Sequence, residues 1–83
     1  MRASDVLPDH VNEGEFDGIT VRKGSVGAFL ANAKILANPS ASPEACSAAE
    51  RDILELLPAL RVLGLFDVFE IRDEKLRAFV DTH

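Results

Sequence analysis

The sequence predicts a small α+β domain that is mainly helical, with three to four helices and a minimal two-stranded sheet, in the order strand, helix, kinked helix, strand, helix. Three observations carry that prediction. Two long stretches, 24–36 and 43–63, place apolar residues at three- and four-residue steps between well-marked ends. Two short ones, 19–23 and 65–71, alternate apolar and polar side chains and are rich in β-branched or aromatic residues. With 83 residues, 47% hydrophobic and 28% charged, the chain has the composition of an ordinary folded domain and the length of only one.

Residues 1–15 mix Pro8, Asn12, Gly14 and several acids without sustained periodicity, which reads as a flexible acidic N-terminal tail ahead of a single small domain over 16–83. Asp17-Gly18 then marks a turn. Ile19, Val21 and Lys23 fall on one face of the following strand, and Thr20 and Arg22 on the other. That strand feeds the most apolar and least charged helix candidate in the chain, K-G-S-V-G-A-F-L-A-N-A-K-I-L, expected to be the central core helix. Val26, Phe29, Leu30, Ala33, Leu36 and Ala37 make its main apolar face, and Ser25 is expected to be its N-cap. Asn38-Pro39 ends it, because proline disfavours helical geometry at the residue before it.

Ser42, Pro43 and Glu44 form an orthodox helix opening: a capping hydroxyl, a proline where no donor is needed, and an acid at the positive end of the dipole. Cys46, Ala49, Ile53, Leu56, Leu57 and Leu60 follow along one side, against Ser47, Glu50, Arg51, Asp52 and Glu55 on the other. Pro58 predicts a kink near Leu57 or a fresh short helix from 58 to 63, and Gly64 is the natural C-terminal cap. For 65–71 a strand is expected, the alternative being that Leu65 and Phe66 close the helix in a hydrophobic contact and the remainder is loop. Asp73 then caps a last helix with Leu76, Phe79 and Val80 on one face.

Net charge is −5, from 14 acidic and 9 basic residues, which disfavours a general nucleic-acid binder. No apolar run approaches the roughly 20 residues that cross a bilayer, so no membrane partner is expected. The N-terminus reads as neither a secretory nor a transit leader, and the single Cys46 has no internal disulfide partner, so the expected compartment is cytoplasmic.

The segments 23–32, K-G-S-V-G-A-F-L-A-N, and 58–69, P-A-L-R-V-L-G-L-F-D-V-F, resemble a family of small uncharacterised bacterial proteins. Members pair a G-[ST]-V helix start containing an Asn with a later P-x-L and G-L-F-D-x-F segment. The resemblance covers about half the chain and implies one compact bacterial domain without an assigned activity. Its shared positions are mostly apolar or turn residues, which read as packing.

No catalytic constellation stands out, and the expectation is that the chain is not an enzyme and holds no cofactor or metal. Cys46 lies on an apolar helix side without an adjacent base. His10 and His83 sit at opposite ends of the chain, outside any metal-ligand spacing. Glu50, Asp52 and Glu55 read as a solvated helix face, and Asn32 as a buried amide bonded to a neighbouring segment. Two binding hypotheses remain. In the preferred one the chain is a non-enzymatic protein-interaction or accessory module. A partner or a second copy would dock on Leu65, Phe66, Phe69 and Ile71, beside the acidic face of the second helix. In the other, Arg22, Lys23, Gly24 and Ser25, in a G-x-x-G segment at a helix start, bind a small anion or a nucleic-acid backbone. Against the second stands a plainer reading, with Gly24 needed for the turn and Gly27 for close packing.

Overall fold

Asp17 and Gly18 both take positive φ, 51° and 78°, and so reverse the chain in the manner of the tight turn that suits the twist of a hairpin. In the computed structural model, which describes all residues 1–83, this turn joins β1 (Glu13–Phe16) to β2 (Ile19–Arg22) as an antiparallel pair. Phe16 faces Ile19, and Gly14 faces Val21, which is almost fully buried. The two-stranded sheet is present and the strand expected at 19–23 is β2, but its partner differs from expectation: β2 pairs with the segment just before it, and 65–71 takes no part. Glu13 to Glu15, expected in the flexible tail, belong to β1. Ahead of them lies a single helical turn, α1 (Ala3–Val6), closed by an Arg2 N–H donated to Asp5 Oδ2 at 2.8 Å.

Gly24 leaves β2 with φ 84° and is itself the N-cap of α2 (Ser25–Ala37). Ser25 therefore does not cap the helix. It is buried, and its Oγ donates to the Arg22 carbonyl at 2.7 Å, tying the helix start to the strand end. Asn38 stops the helix as expected, and its Oδ1 accepts from the Ser40 N–H at 2.9 Å.

The short connection 38–42 returns the chain along α2 as α3 (Pro43–Leu63), the usual consequence of a brief link between helices. Ser42 Oγ accepts from the Ala45 N–H at 3.1 Å with Pro43 in the first turn, and Gly64, at φ 81°, closes the far end. Twenty-one residues make a rod about 31 Å long, against a longest molecular dimension of 38 Å. Pro58 neither ends the helix nor starts another. It stands on the exposed side, and the helix runs through it to Leu63.

α3, not α2, is the central helix. It supplies five of the nine buried residues, Ala49, Ile53, Leu57, Ala59 and Leu60, whereas α2 supplies only Ser25 and Phe29. The hydrophobic core joins Phe29 of α2 to Ile53, Leu57 and Leu60 of α3 and to Val80 of α5 (Glu74–Asp81). α5 is capped at its start by Asp73, whose Oδ2 accepts from the Leu76 N–H at 2.9 Å. Its end is held by Arg61, which donates to the carbonyls of Val80 at 3.0 Å and His83 at 3.3 Å.

Between α3 and α5 the expected second strand is replaced by one helical turn, α4 (Leu65–Val68), and an extended link over 69–72. The physical reason lies in Gly64 and the local hydrogen bonds that follow it. The left-handed glycine redirects the backbone, the Asp67 and Phe69 N–H groups bond to the Gly64 and Leu65 carbonyls, and Leu65 and Phe66 turn onto the core together. A strand would have sent them to opposite faces. Five helices and the hairpin together give a small, mainly helical α+β architecture. No helix is long and apolar enough to cross a membrane.

Candidate apolar groove

A helix that is apolar nearly all round is ordinarily covered on every side. In α2 the only charged residue among 13 is Lys34, yet Val26, Leu30 and Ile35 are exposed, Leu30 to 52%. Beside Val26 and Leu30, on the side of α2 away from Ile35, the chain comes back through α4 and the 69–72 link, leaving a groove between the two. Its volume is about 410 Å³, and Val26, Phe29, Leu30 and Ala33 form one wall. Leu65, Phe66, Phe69, Ile71 and Leu76 form the other, with Glu70, Arg72 and Asp73 at the rim.

The floor is rigidly built. Phe66 meets Phe29 edge to face, with ring centroids 5.6 Å apart and planes at 69°, a favoured aromatic geometry. Phe29 is in turn buried against α3, so the groove rests on the core itself. Phe69 differs from Phe66 in kind. It is 66% exposed on the extended link, beside the 77% exposed Val68, and no buried contact accounts for it.

All four residues expected to form an interaction segment, Leu65, Phe66, Phe69 and Ile71, therefore line one groove, although they form no strand. The opposite wall, Val26, Leu30 and Ala33, was not named in the sequence as a site. Its residues belong to the main apolar face expected of this helix, part of which is legible as an exposed surface only once the partner elements are known. Of the acidic side of α3, only Glu50 reaches this region, at a second hollow that continues past Leu30, Ala33 and Leu76.

The basic strip has a different setting. Lys23 Nζ donates to the Pro8 and Asp9 carbonyls at 2.7 and 2.9 Å, fastening the N-terminal segment to the hairpin. Arg22 Nε lies 3.8 Å from Glu13 across the strand pair. Ser25 is committed to the Arg22 carbonyl, so the cations and hydroxyl at the start of α2 are directed at the chain's own groups. Asn32 is half-buried and donates to the Ala28 carbonyl of its own helix at 3.0 Å rather than to a neighbouring segment. His83 stacks on Phe79 with centroids 4.6 Å apart, and no group of three or more His, Cys, Asp or Glu side chains gathers in metal-binding fashion. Cys46 is a half-buried free thiol.

No known family, curated protein or solved structure matches this chain.

Proposed function

We propose that the chain is a non-enzymatic protein-interaction module, a small cytoplasmic accessory protein of bacterial type, which receives an apolar protein surface in the groove between α2 and residues 65–76. The observation that carries this reading is the exposure of Leu30 and Phe69 on facing walls of a groove whose floor is continuous with the core. Exposed apolar patches of this kind, rimmed by charges, are characteristic of protein contacts. The alternative of a small-anion or nucleic-acid-backbone site at Gly24–Gly27 has less in its favour, because Lys23 is already bonded to two carbonyls. The lone Cys46 without an internal disulfide fits a reducing compartment.

The test is the elution of the full chain from a native extract of its own host. The wild type is expected in an assembly larger than its own 9.0 kDa, and Leu30→Glu with Phe69→Glu is expected to release it as a single chain with unchanged circular dichroism. Arg22→Ala with Lys23→Ala should leave the assembly intact. Elution of the wild type as a single chain, or an assembly indifferent to the groove variant, would overturn the reading.

A further inference from the structure

We infer that the occupant of the groove is a second copy of this chain, forming a two-fold dimer across the open face of α2. This inference rests on the interaction reading above and goes beyond it by naming the partner.

The first support is area. The chain exposes 6097 Å², roughly 1,200 Å² more than the about 4,900 Å² expected of a folded 9.0 kDa monomer. A standard protein interface covers about 800 Å² on each partner. Over the whole molecule the chain thus leaves uncovered more than one partner's share of a standard interface. Of the large apolar side chains left exposed, Val26, Leu30 and Phe69 line the groove and Val68 adjoins it in the chain.

The second support is charge, and it favours a second copy over a strongly basic partner. The hollow that extends the groove is bordered by Lys34, Arg72 and Lys75 and by Glu50, Asp73 and Glu74, three cations and three anions on a chain of net charge −5. The two ion pairs within the chain, Arg22–Glu13 and Arg77–Glu70, use none of the six. In a two-fold contact every residue meets its counterpart's environment reciprocally, so a self-complementary patch must carry both signs. A balanced patch on an otherwise acidic molecule has that property. A surface shaped for a strongly basic partner would instead be acidic, like the rest of the chain.

Lengthwise, α2 offers an apolar edge of about 11 Å, from Val26 through Leu30 to Ala33, for its counterpart in the second copy. Leu30, at the middle of that edge, is the residue whose change reads out the contact.

The experiment is sedimentation equilibrium of the purified full chain over a dilution series, for the wild type, Leu30→Glu and the polar-face control Ser47→Glu. The wild type and Ser47→Glu are expected to sediment at twice the 9.0 kDa of one chain. Leu30→Glu should weaken association at least about 100-fold, because each dimer would bury the added carboxylate twice. Leu30 is half exposed in the single chain, so the variant keeps its fold, checked by circular dichroism. A wild type that stays at single-chain mass up to the highest concentration overturns the dimer. If the groove variant nevertheless dissolves an assembly in the host extract, the interaction reading stands with a different partner. If it does not, both fall.

Discussion

Phe66 and Phe69 are three residues apart and serve opposite ends: the Phe66 ring packs edge-on against the buried Phe29 at 5.6 Å, while Phe69 projects from the same groove 66% exposed. Their separation in role follows from one turn of helix, α4, which swings Leu65 and Phe66 inward and leaves Val68 and Phe69 outside.

The contrast predicts unequal costs. Phe66→Ala should destabilise the chain by about 2 to 3 kcal/mol, somewhat below a fully buried phenylalanine because Phe66 is only partly covered. Phe69→Ala should change stability by less than about 1 kcal/mol in the single chain. Urea denaturation of the two variants, at dilutions where no association persists, measures the difference.

Pro58 gives a prediction of opposite sign. Inside α3 it has no N–H for the carbonyl one turn earlier, and it sits on the exposed side where its ring makes no core contribution. Pro58→Ala restores that bond. It should stabilise the chain by about 1 to 2 kcal/mol, the helix gain being partly offset by the greater freedom of the unfolded chain. Thermal unfolding would show the transition moving up, whereas a fall in the midpoint would mean that the ring is needed for packing.

Gly64 stands at φ 81°, where a side chain is strained, and it both ends α3 and launches α4. Gly64→Ala should cost about 1 kcal/mol or more. Because the same residue aims Phe66 at Phe29, the variant should also disturb the amide spectrum of residues 65–72, beyond the neighbourhood of the substitution.

Lys23 is assigned to fastening the N-terminal segment rather than to binding an anion. Lys23→Ala should speed hydrogen exchange across residues 5–12 and change global stability by less than about 1 kcal/mol. Added phosphate should stabilise the wild type no more than it stabilises the variant. A phosphate effect lost with Lys23 would restore the anion reading.

Much of the helical frame was legible in the sequence because its signals are local. Ser42 with Pro43, Gly64, Asn38 and Asp73 mark helix ends through groups within a few residues of them, and each acts as expected. The Asp17-Gly18 turn was equally local. Strand pairing was not, because alternation in 65–71 describes a face without naming a neighbour. The segment's Asp67 and Phe69 N–H groups bond locally to the Gly64 and Leu65 carbonyls instead, and β2 pairs with β1, its neighbour in the chain. Ser25 misled for a similar reason: Gly24 could reach left-handed geometry, which moved the cap back one residue and freed the serine to bond to Arg22. For the groove, one wall was visible as an aromatic segment. The other lay in α2, expected to be the central core helix, where Val26 and Leu30 of its apolar face are left open.

The most direct measurement of the groove as a contact surface is in-cell photo-crosslinking from single positions of the full chain. A photoreactive phenylalanine derivative at position 69 is compared with one at 47 on the polar side of α3. Discrete protein adducts from 69 and none from 47 are the expected result. Equal adducts from both positions, or none from 69, would contradict the groove as the place where this chain meets another.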